Sequence, residues 1–355
     1  MLDSSALSFV SEYAFYGLAF VSAFSVVLAS VPIVRKIATH SGHVDVPCDR
    51  KVHKTPIVRL GGLCIIVGTL AAVGFLWRVG GFDTLLSIDR KEILIMLLGA
   101  SGYFLLGFFD DLYTLSPRFR LVFQFAIAAL VWQFGIRIDF VTIPGIGMVH
   151  LAWLSLPITL IWIVGMVNAI NWIDGLDGLA SGVSAIATLI TVGICLFIGE
   201  PSVALLAMCL VGSLCGFLVY NFNPACIFMG DGGSYFIGFM LAVISITGLV
   251  KGATAITIPL IVLAVPILDM TLVIISRLMR RKSPFVADKS HLHHRLLKVG
   301  LPHRWVVLFI YALSLWMGSW AFTLAPIPNG VLAIVVATPI FCLTSWRAWQ
   351  LAQVS

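Results

Sequence analysis

The sequence predicts an all-α integral membrane protein with about eleven transmembrane helices, and three observations predict it. The first is composition: of 355 residues, 60% are hydrophobic and only 11% are charged, where a water-solvated chain carries roughly 25% charged residues. The second is length. The apolar runs repeatedly reach the size that crosses a hydrocarbon core, about 20 residues for roughly 30 Å. The third is the uneven placement of Lys and Arg between alternate connections, which orients a polytopic chain.

The runs follow one another at about 13–36, 59–78, 92–109, 118–137, 151–171, 178–198, 202–220, 234–250, 254–277, 304–325 and 330–350. The first is too long for a signal-peptide core and lacks a small-residue cleavage site behind it, so it is expected to stay as an anchor. The second opens behind a basic stretch, His53-Lys54-Thr55-Pro56 with Arg59, and starts on Gly61-Gly62. The third closes on Gly107-Phe108-Phe109-Asp110-Asp111, and the fourth begins with Arg118 and Arg120. The fifth ends in a run of asparagines and aspartates. The sixth starts at Gly178, and the seventh leads into Asn221-Phe222-Asn223-Pro224. The eighth follows Met229-Gly230-Asp231-Gly232-Gly233, the ninth carries Pro266 and Asp269, and the last two have no buried charge of this kind. The longest polar stretches, about 38–58 and 278–303, are loop-sized, so residues 1–355 read as one polytopic membrane domain with no soluble domain left over. Seven cysteines, mostly within spans and without a CxxC pair, read as small buried hydrophobes.

With the N-terminus outside, the inside segments are 37–58, 110–117, 172–177, 221–233, 278–303 and the C-terminal tail. All but five of the 22 Lys and Arg (Arg78, Arg90, Lys91, Arg137 and Lys251) then fall inside, which makes that side the cytoplasm. The net charge of +6 belongs to this face, where it favours anionic headgroups and phosphates and is no nucleic-acid signature. Asp110, Asp111, Asp174, Asp177, Asp231 and the His291-Leu292-His293-His294 loop all emerge on this one face. An error of one span would have split them between compartments, so their agreement supports both the topology and a single site.

Each motif has its own chemistry. Adjacent carboxylates at Asp110 and Asp111 repel and need a cation or basic neighbours; Arg118 and Arg120 supply part of that, and a plain solvated helix end is the simpler alternative. In Asn168-Ala-Ile-Asn171-Trp-Ile-Asp174-Gly175-Leu-Asp177-Gly178, the polar residues spaced by three adjoin along an otherwise apolar helix face. Two amides and two carboxylates there suit a polar substrate with a metal ion, or else a polar seam between helices. Asp231 sits in a glycine turn before a helix, where free N–H groups make an anion site, and Phe228 offers a ring for stacking on a base. Asp288-Lys-Ser-His291-Leu-His293-His294-Arg295 lacks the Cys of a zinc loop and the chain lacks HExxH, so hydrogen bonding to phosphate or sugar suits it better than zinc. Asp269 is a further acid facing either the bundle interior or a neighbouring helix. Lys54 reaches either a phosphate or a lipid headgroup.

These residues resemble the polyprenyl-phosphate N-acetylhexosamine-1-phosphate transferases, glycosyltransferase family 4, and within them the WecA/TagO branch. Four motifs carry the likeness in the family's order: FFDD, NAINWIDGLDG, NFNPACIFMGDGGS and SPFVADKSHLHHRL. The likeness runs from His53 to the histidine loop, with the last two spans adding only topology. It implies transfer of GlcNAc-1-phosphate from UDP-GlcNAc to undecaprenyl phosphate with release of UMP, on the cytoplasmic face of a bacterial plasma membrane, as the first membrane step of a cell-envelope polysaccharide. It implies Mg²⁺, with Mn²⁺ as a substitute, and admits a homodimer. It implies Asp231 and one of Asp110 and Asp111 at the metal, with Asp110 or Asp111 preparing the lipid phosphate. It implies Asn168, Asn171, Asp174, Asp177 and Asn221 around the nucleotide, and Phe228 against uracil. The loop Asp288, His291, His293, His294 and Arg295, with Lys54, Arg120 and Asp269, would complete the site. The physical reading agrees: two anionic substrates need cations to offset their repulsion, and catalysis rests on positioning and charge. Another UDP-N-acetylhexosamine as donor stays open. A secondary transporter fits worse, because its acids belong near the midplane of repeated halves.

Overall fold

The computed structural model describes residues 4–40, 44–45, 57–85, 89–143, 146–249, 257–281, 291–325 and 327–354. It is a helical membrane protein. The long helices are α1 (Ser4–His40), α2 (Gly61–Arg78), α4 (Arg90–Tyr113), α5 (Pro117–Gln133), α6 (Ser155–Ile173), α7 (Leu179–Ile198), α8 (Pro201–Asn221), α9 (Gly230–Ile244), α11 (Ala264–Met279), α13 (His303–Leu324) and α14 (Val331–Val354). Short helices α3 (Gly81–Thr84), α10 (Thr257–Val262) and α12 (Leu292–Lys298) lie between them. Among the described residues nine helices are long and apolar enough to cross a membrane.

The two other expected spans take different forms. The helix α5 has 17 residues, and the run expected at 254–277 is divided into α10 and α11 at Leu263. The structure also holds two small antiparallel ribbons that no expectation included. One pairs β1 (Val44–Asp45) with β2 (Ile57–Val58), and the other pairs β3 (Phe140–Ile143) with β4 (Gly147–His150). Both strands of the second ribbon are four residues long, too short to register in a search for spans.

Local signals explain several helix ends. Asp89 caps α4 by accepting from the Lys91 amide at 3.1 Å, and Ser116 caps α5 by accepting from Phe119, with Pro117 at the first position. The continuation of α9 into a π-turn at Ser245–Leu249 leaves Ser245 accepting from the indole of Trp162 at 3.1 Å.

The centre of the bundle is α9, which with the π-turn that follows it is buried from Gly232 to Leu249. It packs against α4, α6 and α2, while α1 packs on α8 and α2, and α13 packs on α14 and α7. A helix enclosed by others must let backbones approach closely, and small residues do this within membranes. The sequence supplies them at Gly232, Gly233 and Gly238: a Cβ on Gly238 would sit 2.6 Å from Val167 Cα in α6. The outermost helix α14 keeps large apolar side chains such as Val336 and Leu343 exposed, as a lipid-facing surface requires.

Candidate functional site

One end of the bundle collects the polar chemistry. The last turn of α4 brings Asp110 and Asp111, the C-terminal end of α6 brings Asn168, Asn171 and Asp174, and the first turn of α9 brings Asp231. Both α4 and α9 extend further than expected, so these acids are held by helical backbone rather than by loops.

Asp111 reaches from α4 to the start of α9, where its two carboxylate oxygens accept from the amides of Asp231 at 2.9 Å and Gly232 at 3.0 Å. The N–H groups expected to form an open anion site are therefore already occupied by a side chain of the protein. Two glycines make this contact feasible. Gly230 has φ +73°, and a Cβ there would lie 2.3 Å from the Arg59 carbonyl and 2.5 Å from Asp111 Oδ2. A Cβ on Gly107 would lie 2.3 Å from the Asp231 carbonyl oxygen.

Asp110 is buried and committed in a similar way. Oδ1 accepts from the Leu115 amide at 2.7 Å and Oδ2 from the Arg120 guanidinium. Arg120 also stands 3.8 Å from Asp231 Oδ2. The other oxygen of Asp231 accepts from Asn171 Nδ2 at 2.7 Å, and the same nitrogen donates to Ser234 Oγ at 3.0 Å. Asp174 is half-buried; its amide donates to the Asn171 carbonyl at 3.3 Å, while its carboxylate has no hydrogen bond among the described residues. Withdrawal from water, and then the carboxylates of Asp231, Asp111 and Asp177, push its pKa up to about 7 against the opposing charge of Arg59.

Asp177 and Asn221 are used in shaping the site. Asp177 Oδ2 accepts from Asn223 Nδ2 at 2.9 Å and from the Ala225 amide at 3.1 Å, tying down the turn after α8. Asn221 accepts from the Gly178 amide and the Ser181 hydroxyl and donates to the Ile227 carbonyl. Ile227 pairs with Val58, and Phe228 and Met229 cap α2 through the amides of Gly61 and Gly62. Phe228 is half-buried in this strap, away from the cavity described next.

Beside the carboxylates, a cavity of about 600 Å³ lies between α5, α6, α11 and α12. Its polar end carries Arg120, Gln124, Asn168, Arg277 and the rings of His291, His293 and His294; its remaining wall is apolar, including Leu121, Phe125, Ile161, Val164 and Met270. Arg120 and Gly175, neighbours of Asp231 and Asp174, join it to the acidic cluster.

Asp269 organises the histidines. Its carboxylate accepts from His291 Nδ1 at 2.8 Å and from the Leu292 amide at 2.7 Å, capping α12. A carboxylate only accepts, so Nδ1 carries the proton. His291 stands edge-on to Trp172, and its ring is parallel to that of His293. His293 is 1% exposed, its Nε2 lies against Gly175, and both ring nitrogens are without a partner among the described residues. Burial, then the neighbouring rings of His294 and His291, lower its pKa to about 3. Arg295 points from the exposed face of α12, outside the cavity lining. Lys54 and Asp288 lie outside the described residues.

Gln124, Trp172 and Arg277 join the site beyond the residues the sequence singles out, beside Gly175, a glycine whose lack of a Cβ suits close approach of a ligand. A glutamine inside an apolar span was a visible signal for the first; Trp172 and Gly175 lie inside a recognised motif, and Arg277 had been counted only as charge.

Among the described residues no three His, Cys, Asp or Glu stand close enough to cage a metal ion by themselves. Mg²⁺ does not need such a cage, since it takes one or two carboxylates with substrate phosphates and water. The donor set fits that ion: the Asp174 carboxylate has no hydrogen bond among the described residues and is crowded by like charge, and Asp231 Oδ2 stands 3.8 Å from the Arg120 guanidinium. Asp110, with both oxygens engaged, is less available than Asp174.

Residues 93–249 match the model of glycosyl transferase family 4. The chain is 40% identical over 299 residues to the probable undecaprenyl-phosphate N-acetylglucosaminyl 1-phosphate transferase of Bacillus subtilis, covering 83% of this chain and 81% of the relative. It is 35% identical over 315 residues to the decaprenyl-phosphate N-acetylglucosaminephosphotransferase of Mycobacterium tuberculosis, covering 81% and 76%. It is 32% identical over 294 residues to the undecaprenyl-phosphate alpha-N-acetylglucosaminyl 1-phosphate transferase of Haemophilus influenzae, covering 79% of each. With its motifs in order and its acids gathered at one end of the bundle, the chain belongs to glycosyl transferase family 4, among the polyprenyl-phosphate N-acetylhexosamine-1-phosphate transferases.

Proposed function

We propose that this protein transfers GlcNAc-1-phosphate from UDP-GlcNAc to undecaprenyl phosphate at the cytoplasmic face of a bacterial plasma membrane. The observation that carries the reading is the junction of an acidic cluster with an apolar-walled cavity whose polar end holds Arg120 and three histidines. A water-soluble nucleotide sugar and a lipid phosphate meet only where water and hydrocarbon meet, and this junction has one wall suited to each. The names of three relatives, each a polyprenyl-phosphate GlcNAc phosphotransferase, support the same donor and acceptor class.

In this reading an oxygen of the lipid phosphate attacks the phosphorus that bears the sugar. The bond from that phosphorus to the bridging oxygen breaks, and UMP leaves with the bridging oxygen. Mg²⁺ held by Asp231 and Asp174, with Mn²⁺ as a substitute, would offset the charge on the phosphates. Arg120 adds positive charge next to Asp231, and Asn171 holds the Asp231 carboxylate in place. His291, oriented by Asp269, turns its other nitrogen to a sugar or phosphate oxygen. Phe228 offers a face for uracil, and Arg295 approaches from the aqueous side. The product starts a cell-envelope polysaccharide.

The test uses purified protein in detergent with undecaprenyl phosphate, UDP-GlcNAc and Mg²⁺, following UMP and lipid-linked sugar. UMP release should need both lipid and metal and should vanish in Asp231→Asn with its melting temperature retained. Turnover only with another UDP-N-acetylhexosamine would change the donor; a fully active Asp231→Asn would remove that residue from the metal.

A further inference from the structure

Gln124 lies in the second turn of α5, four residues beyond Arg120, and is 1% exposed. Its backbone is fixed by the Tyr103 hydroxyl, which donates to its carbonyl at 2.6 Å. Its side chain is fixed by Asn168, whose Nδ2 donates to Gln124 Oε1 at 2.8 Å and to the Val164 carbonyl at 2.7 Å. The second bond decides the orientation of both amides. A main-chain carbonyl only accepts, so the Asn168 atom facing it is nitrogen, and the Gln124 atom facing that nitrogen is oxygen. Gln124 Nε2 is thus the remaining end: buried and without a partner among the described residues, on a side chain that lines the cavity.

An amide donor held in a membrane-helix wall without an acceptor is a costly arrangement, and it marks a place where a ligand oxygen belongs. The position selects the ligand. Gln124 sits one turn, about 5.4 Å, further along α5 than Arg120, on the side where Leu121, Phe125 and Val164 begin the apolar wall. The donor substrate comes from water at the carboxylate end. The anion that arrives with an apolar tail along this wall is a lipid phosphate.

We propose that Gln124 Nε2 binds a phosphate oxygen of the lipid acceptor, with Asn168 as the positioning residue that locks the amide. The assignment rests on the proposed transfer reaction and deepens it. Arg120 supplies charge at the mouth; Gln124 supplies a directional, neutral donor one turn deeper, where a second cation would be expensive.

Two variants test it. Gln124→Met keeps the length and removes the donor; Gln124→Glu keeps the acceptor for Asn168 and adds negative charge. Steady-state kinetics should show the KM for undecaprenyl phosphate rising about tenfold in the first variant and more in the second, as loss of one hydrogen bond to a charged group requires. The KM for UDP-GlcNAc should stay within about twofold, since a donor-side role is not expected. A melting experiment separates the contact from the reaction. Undecaprenyl phosphate, but not undecaprenol, should raise the melting temperature of the wild type, and Gln124→Met or Gln124→Glu should abolish that rise. If the wild type turns over no UDP-sugar yet shows this Gln124-dependent rise, the phosphate contact stands and the reaction does not. An unchanged lipid KM in both variants beside an active wild type, or a donor KM that rises instead, overturns the assignment.

Discussion

Asp111 and Asp174 sit in one acidic cluster with opposite obligations. Asp111 satisfies two amides at the start of the central helix, so Asp111→Ala should leave both orphaned, at a cost of about 1–3 kcal/mol each. Its melting temperature in detergent and its UMP release should fall together. The Asp174 carboxylate carries repulsion and no hydrogen bond among the described residues, so Asp174→Asn should lose UMP release while the melting temperature holds or rises. A drop in melting temperature for Asp174→Asn would show that this carboxylate supports the fold. His293 gives a pH signature. Its folded pKa near 3 lies below the ordinary 6.5, so below 6.5 the unfolded chain binds a proton that the folded chain refuses. Stability from this residue is full above pH 6.5 and declines as pH falls toward 3. Melting curves across that window should flatten in His293→Gln, and an unchanged acid slope would mean another group is responsible.

At the scale of elements, the approach of α4 to α9 decides the site. Gly107 and Gly230 leave no room for a Cβ where the two helices and the Arg59 backbone meet. Gly107→Ala must move the Asp231 carbonyl, so UMP release should fall by at least tenfold at a modest loss of stability, about the 1–3 kcal/mol typical of overpacking. Activity within twofold of wild type would show that the helices can part without consequence. This contact also explains what the sequence left hidden. Most span limits were legible to within a few residues because apolar runs end abruptly at charged residues. The start of α9 was not, since its cap is Asp111 from 120 residues away and no local window contains it. The division at Leu263 and the β3–β4 ribbon were missed for a related reason: each is shorter than the window that finds spans.

Across the whole molecule, the carboxylates, Asn171 and the histidines were legible because polar residues stand out in a chain that is 60% hydrophobic. Their grouping followed from counting spans. Their division of labour did not. Asp177 and Asn221 hold the turn after α8, and Asp110 is tied to Arg120, which spacing cannot distinguish from holding a ligand. Arg295→Ala belongs to this scale, because on the proposed reading the exposed face of α12 borders the aqueous approach: the KM for UDP-GlcNAc should rise more than that for the lipid, and the reverse would reassign the loop. The cavity between α5 and α11 has a last consequence. At about 600 Å³ it is the size that encloses a drug-like molecule, far smaller than a whole polyprenyl tail. On the proposed reading most of the tail then remains dissolved in the bilayer, and selection acts on the phosphate and the first few isoprene units. The protein should be indifferent to carrier length, accepting decaprenyl and undecaprenyl phosphate at similar kcat/KM and faltering only when the tail is too short to fill the wall.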